Sequence, residues 1–351
     1  MTKTLRWTLP LLGMIAMATA APAKADTELR FLSQFVPTQK HFPNEKASLD
    51  AVAADQALGI NVTTNEYKSL GLKTSDGLRL VRAGTFDVVT VQIGTASRDD
   101  PFLEGLDLIG VSTDMASLRE AVNAYREVFD ARLQEKFNGK VLSLWPFGPQ
   151  VFYCNQPLET LDDLNGLKVR SFTPSMSALL EHFGATPVTL TFPEVYPALQ
   201  RNVASCGVTS PTSGNTGKWP EVTTHQLPLS VSGSMQGYFA NLDWWNGLSA
   251  EQQAGVAAHF EGLEDAQWAL ASTINDDALA CNVGQDACAD HQKFSMALVA
   301  VSDADVDRVK QASKEVVVPA WMSKCEETYP DCGKVWNDTV GAARGLAVDA
   351  Q

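Results

Sequence analysis

Arg170 sits in an apolar run, Leu167-Lys168-Val169-Arg170-Ser171-Phe172, that reads as a strand. A guanidinium there is costly to desolvate unless an anion meets it. Its planar fork matches a carboxylate in a bidentate pair. The chemistry this suggests is recognition of an acid, not bond breaking. Two blander readings compete: an Arg on a solvent-facing edge, or one paired with an internal acid such as Glu194.

Catalytic constellations are missing. Gly233-Ser234-Met235-Gln236-Gly237 misplaces the serine of a nucleophile elbow by one position. Neither a P-loop nor a G-x-G-x-x-G run occurs, so no cofactor is expected. The histidines at 41, 182, 225, 259 and 291 are scattered, with no H-E-x-x-H and no close pair. Asp162-Asp163 reads as a cap before Leu164, and Asp276-Asp277 as the polar side of a helix. The chain is not read as an enzyme, and no metal site is expected.

The six cysteines lack the C-x2-C spacing of a zinc site. Cys281/Cys288 and Cys325/Cys332 share one short spacing and would bridge locally, which leaves Cys154 with Cys206. Structural disulfides belong to an oxidising compartment. The N-terminus agrees. Lys3 and Arg6 precede an apolar core from Leu9 to Ala20, and Ala23-Lys24-Ala25 reads as a cleavage site. A signal peptide of residues 1–25, cleaved after Ala25, places the product in the periplasm. No Cys follows the core to carry a lipid, and no other apolar run is long enough to span a bilayer.

The elements that must position Arg170 alternate. Residues 167–172 read as a strand, Pro174 to Phe183 as a helix, Thr186 to Leu190 as a strand, Pro193 to about Asn202 as a helix, and Cys206 to Ser210 as a strand. Short connections between alternating strands and helices imply a parallel sheet, whose ligands bind beyond the carboxyl ends of its strands. The earlier segment reads similarly, with strands at 28–35, 61–67, 86–91 and 140–145 and helices at 47–58, 74–82 and 117–138. Thr209 to Pro220 reads as a loop. Ser249 and Gln252 form a capping box that opens a helix of roughly 30 residues, about 45 Å long, suited to a strut between two domains.

Composition sets the class. The chain of 351 residues has 41 acidic against 27 basic side chains, a formal charge of −14, which argues against nucleic-acid or membrane-surface partners. With 45% hydrophobic and 19% charged residues it can build a core, and its length favours two domains.

Three ordered runs carry a family resemblance: Asp163-Leu164-Asn165-Gly166-Leu167-Lys168-Val169-Arg170, Gly184-Ala185-Thr186-Pro187 leading to Glu194-Val195-Tyr196-Pro197-Ala198-Leu199-Gln200, and Trp245-Asn246-Gly247-Leu248-Ser249-Ala250-Glu251-Gln252. Ala83-Gly84-Thr85-Phe86-Asp87-Val88 adds a fourth. The chain resembles the DctP-type solute-binding proteins of tripartite ATP-independent periplasmic (TRAP) transporters. The resemblance implies an α/β, two-lobed periplasmic-binding-protein (Venus-flytrap) fold, with mixed sheets and a long helix spanning both lobes. Lobe one would be about 26–147 plus 236–275, and lobe two about 148–235 plus 276–351. It also implies a receptor that delivers an organic acid to membrane permease subunits driven by an ion gradient. A sensor kinase fed by the same kind of receptor is the alternative. Neither nucleic acid nor direct membrane insertion is part of that expectation.

By the same resemblance Arg170 clamps the ligand carboxylate and Phe192 covers the ligand. Ser210 stands where many relatives carry a ligand-touching Asn. Gln150 stands where some carry a second Arg, which removes a positive charge from the pocket. Trp145, Trp219, Tyr238 and Trp244 lie near the expected lobe junction, where aromatic rings could stack on a ligand. One Arg with extra aromatics suggests a monocarboxylate of apolar or aromatic character. A Cys154–Cys206 bridge would stiffen lobe two without blocking the hinge.

Overall fold

A computed structural model describes Thr2 and residues 27–348; the expected signal segment and its cleavage site lie outside these residues. The described residues form eleven strands: β1 (Thr27–Ser33), β2 (Ile60–Glu66), β3 (Val88–Gln92), β4 (Gly139–Pro146), β5 (Val151–Cys154), β6 (Lys168–Ser171), β7 (Thr186–Thr189), β8 (Cys206–Thr209), β9 (His225–Leu227), β10 (Met235–Asn241) and β11 (Ala297–Leu298). They form two mixed sheets, ordered β2-β1-β3-β10-β4 and β11-β9-β5-β8-β6-β7. β1 runs parallel to β2 and β3, while β10 runs antiparallel to β3 and β4. In the second sheet β6 lies parallel to β7 and β8, and β5 antiparallel to β8 and β9. Pro187 falls on β7, an edge strand, where a missing ladder donor is tolerated.

Each sheet anchors its own apolar core. The first joins Phe31, Val89, Trp145 and Tyr238 to Leu118 and Phe129 of the helix Met115–Phe137 and to Val256 and Phe260 of the long helix. The second joins Phe152, Val169 and Val208 to Leu179 and Leu180 of the helix Pro174–His182. These cores define lobe one and lobe two.

The long helix runs Ala250–Asn282, opened by the capping box of Ser249 and Gln252. Ser48 Oγ and Asn44 Nδ2 bond its early carbonyls in lobe one, at His259 and Ala266. Near its other end Ile274 O accepts Thr212 Oγ1 and Asn282 Nδ2 donates to Tyr153 Oη, both in lobe two. The helix therefore underlies both lobes.

Three expectations change. The first helix spans Phe42–Ala54 rather than 47–58, because Pro43 starts it a turn earlier. The expected loop at Thr209–Pro220 contains a helix, Pro211–Thr216, whose N-cap Ser210 accepts from Ser213 N. The boundary of lobe two also moves. Val318, Trp321, Cys332, Trp336 and Val340 enter the first core, so the C-terminal part of 276–351 packs with lobe one. Trp321 Nε1 and Trp336 Nε1 donate to Pro101 O and Gly105 O, which fixes that return.

The cysteines pair as Cys154–Cys206, Cys281–Cys288 and Cys325–Cys332. The first links directly opposed residues of β5 and β8. Among the described residues no helix is long and apolar enough to cross a membrane.

Candidate functional site

The two sheets turn corresponding edges toward each other. β1 and β3 end where β10 begins and β4 ends, with Gln92, Gln236 and Trp145 in register. β6 and β8 end where β5 begins. The crossovers 147–150 and 228–234 join these edges and pair with one another: Gly148 N donates to Gly233 O at 3.1 Å, Gln150 N to Ser232 O at 2.8 Å and Val231 N to Gln150 O at 3.0 Å. A cleft between carboxyl ends of strands is where open α/β sheets bind ligands.

Arg170, on β6, is buried with 3% of its surface exposed. Its Nε donates to Leu190 O at 3.1 Å and its Nη1 to Val208 O at 2.7 Å, so two strand ends hold it. Of the five N–H groups of a guanidinium, the rest make no hydrogen bond among the described residues, and no carboxylate pairs with it there. Burial pulls its pKa down to about 9. Neither bland reading applies: Arg170 is not at a solvent-facing edge, and Glu194 is spent in a capping box with Thr191. What remains is an uncompensated buried cation, a demanding state that an incoming anion would relieve.

Aromatic rings surround it. The Arg170 guanidinium lies 4.8 Å from the Phe172 ring centre and 5.8 Å from that of Trp219. Phe192, at the start of the helix Phe192–Gln200, stacks on Trp219 at 5.4 Å and 21° while 38% of its surface stays exposed. Arg170, Phe192 and Trp219 are thus brought together, and Phe172 joins them.

The other expected contacts sit elsewhere or are engaged. Ser210 donates its hydroxyl to Ser213 Oγ at 2.9 Å and accepts from Ser213 N, so it serves its helix cap. Gln150 lies in the crossover and folds its Nε2 onto Gly148 O at 2.9 Å. Trp145 and Tyr238 are core residues of lobe one, stacked at 5.9 Å beside Phe35, His41 and Phe147. Trp244 donates its Nε1 to Glu28 O, at the far end of β1 from the cleft.

A set of neutral amides was not evident from sequence. Gln34 Nε2 donates to Gln236 Oε1 at 2.8 Å, Gln92 Nε2 to Ser234 Oγ at 3.1 Å, and Gln236 Nε2 to Ser234 O at 3.0 Å. Each glutamine stands at a strand end facing the cleft edge, just where β1, β3 and β10 stop or start. A Gln at the end of each apolar run was the available signal. Lobe one therefore places uncharged donors and acceptors at these strand ends.

Beneath the amides Glu45 is buried and accepts from Ser33 Oγ and from Thr90 Oγ1. Burial pushes its pKa up to about 7 despite these bonds. His41 is pulled down to about 3 by burial and is held neutral. On the hinge side Asp107 accepts from Ser232 Oγ at 2.8 Å and from Gly233 N and Met235 N at 3.3 Å, and burial raises its pKa to about 7. Glu104 of lobe one accepts from Ser175 N at the start of a lobe-two helix. Among the described residues no cluster of three or more His, Cys, Asp or Glu side chains could hold a metal ion.

Comparison with known proteins identifies the family and the fold. The pattern of bacterial extracellular solute-binding proteins, family 7, matches residues 62–318. The chain is similar to the C4-dicarboxylate-binding periplasmic protein DctP of Rhodobacter capsulatus, at 30% identity over 39% of this chain and 42% of that protein. It is similar to the sialic acid-binding periplasmic protein SiaP of Vibrio cholerae, at 27% over 54% of this chain and 60% of that one. The chain spans about half the length of these curated relatives. The crystal structure of a TRAP periplasmic solute-binding protein from Rhodoferax ferrireducens with bound malonate shares the fold, with a TM-score of 0.78 at 17% identity over 90% of this chain and 98% of that one.

Proposed function

The chain belongs to the bacterial extracellular solute-binding proteins of family 7, and from that premise we propose that it is the periplasmic receptor of a TRAP transporter for a carboxylate-containing organic acid. The observation that carries this is Arg170: a buried guanidinium fixed by two carbonyls, flanked by Phe172 and Trp219, with no acid beside it among the described residues. A ligand carboxylate supplies the missing charge, and the rings take up its body. Desolvation, which makes the empty site costly, makes the filled one selective for anions.

The relatives' ligands, C4-dicarboxylates, sialic acid and malonate, are all acids and support the class. One Arg opposite neutral glutamines favours an acid with an apolar or aromatic body. Lobe one comprises about 27–147, 236–275 and 318–348, and lobe two about 148–235 and 276–317. A ligand touching both favours the closed state through its extra contacts there. The three disulfides and the absence of a membrane-spanning helix among the described residues suit a periplasmic protein that hands its cargo to permease subunits.

Calorimetry against a panel of mono-, di- and keto-acids tests the reading. Arg170→Ala is expected to weaken the best ligand at least tenfold, with circular dichroism unchanged. Unaltered affinity refutes the role given to Arg170.

A further inference from the structure

A pocket of about 360 Å³ opens at the mouth of the cleft. Val36 and Lys40 of lobe one form one side, and Phe192, Gly217 and Lys218 of lobe two the other. The third wall is Asp290 and its neighbours, from the segment that follows the loop closed by Cys281–Cys288.

This wall is held from several directions. Asp277 of the long helix accepts from Ala289 N at 2.6 Å, Asp290 N at 3.1 Å and His291 Nδ1 at 2.6 Å. Asn215 grips Gln292 at both backbone groups, donating to its O at 2.8 Å and accepting from its N at 3.2 Å. Lys40 Nζ reaches across from lobe one to Asp290 O at 2.8 Å, and among the described residues no carboxylate pairs with it.

Opposite stands a second cation in an unusual backbone state. Lys218 has φ 60° and ψ 24°, a left-handed conformation that suits Gly or Asn better than Lys. Gly217 before it packs closely on the same wall, where a β-carbon would lie 2.7 Å from Phe192 Cζ and push that ring aside. Lys218 Nζ is 3.8 Å from Glu221, and both are solvent-exposed, which is a weak restraint. A chain of net charge −14 thus places two lysines on one pocket, one of them against its backbone preference.

We infer that this mouth is a second subsite, in which Lys40 and Lys218 receive a second carboxylate at the far end of an elongated acid. The inference rests on the proposed function, because Phe192 is the wall shared with the Arg170 cluster. Arg170 does not line this mouth; Trp219, 5.8 Å from its guanidinium, and Phe192, stacked on Trp219 at 5.4 Å, link the two, so an acid that reaches both carries its carboxylates on a spacer. The Asp290 carboxylate at the rim opposes the second charge and sets a limit on affinity.

The test uses calorimetry on the full chain with α,ω-dicarboxylates from malonate to sebacate, each paired with the monocarboxylate of equal carbon count. The longer dicarboxylates are expected to bind at least fivefold more tightly than their partners. The double variant Lys40→Ala, Lys218→Gly is expected to abolish that advantage while monocarboxylate affinity stays within twofold, and Asp290→Asn to enlarge it. The inference is overturned if no dicarboxylate outbinds its partner, if none binds, or if the advantage survives the double variant. Arg170→Ala separates the two claims. If it leaves monocarboxylate affinity unchanged, the carboxylate clamp fails while the lysine comparison still stands or falls by itself.

Discussion

Gly148 and Asn275 occupy one another's space. Gly148 has φ 123°, and a β-carbon on it would land on the Asn275 amide nitrogen. That amide donates to Phe147 O at 3.1 Å and Ala271 O at 2.9 Å, and Asn275 Oδ1 accepts from Thr212 N at 3.1 Å. One side chain of the long helix therefore ties a crossover to a lobe-two helix, and only glycine lets the crossover come close enough.

Gly148→Ala is expected to cost about 2 kcal/mol or more, from backbone strain and lost amide bonds. In an Asn275→Ala background the same change should cost markedly less. A double-mutant cycle by urea unfolding measures this coupling. Purely additive costs would show that the two residues act independently.

The disulfides should contribute unequally. Cys154–Cys206 closes 52 residues, whereas the other two close 7 each. On the chain-entropy account this predicts about 4 kcal/mol for the first and about 2 kcal/mol for each of the others. Thermal unfolding of the three Cys→Ser pairs should rank them in that order, with Cys154/Cys206 lowest.

Glu45 should shape the pH profile of stability. In the folded protein it keeps its proton to about pH 7, against 4.5 for an ordinary Glu. The folded state binds the extra proton between those values, so stability falls as pH rises through this window and levels off above it. The full effect is at most about 3 kcal/mol. Glu45→Gln, which keeps an acceptor for Ser33, should reduce that slope, leaving the share contributed by buried Asp107. Identical slopes for the variant and wild type from pH 4.5 to 7 would exclude Glu45 as the source.

Trp219 should report binding. Its ring lies between Phe192 and the Arg170 guanidinium, so a carboxylate arriving at Arg170 changes its surroundings. Ligand titration is expected to shift tryptophan emission, and Trp219→Phe should abolish most of the shift. A full response in the variant would place the reporter elsewhere among the eight tryptophans.

Much of this was readable from residues whose signals are local. Pro174 and Pro193 open helices after strands, and Ser249 with Gln252 opens the long helix. Arg170 stood out in the sequence because a cation in an apolar strand needs a partner, and the structure shows it buried there. The helix at Pro211–Thr216 was obscured by its Ser, Thr and Gly content, although Ser210-Pro211 is itself a helix-start signal. Trp145 and Tyr238 were set near the cleft, but strand register decides which face they take, and that face is covered by helices. The return of residues 318–340 to lobe one depends on tryptophan anchors at Pro101 and Gly105, more than 200 positions away, which no local pattern encodes.

That return has a consequence for how such a receptor can be inherited. With two crossovers, the long helix and the C-terminal segment, four stretches of chain pass between the lobes, and neither lobe is one continuous piece of sequence. A gene fusion or recombination event cannot swap one jaw for another at a single breakpoint. Substitution within an intact pair of lobes remains open as a route to new specificity, because it leaves all four passages in place.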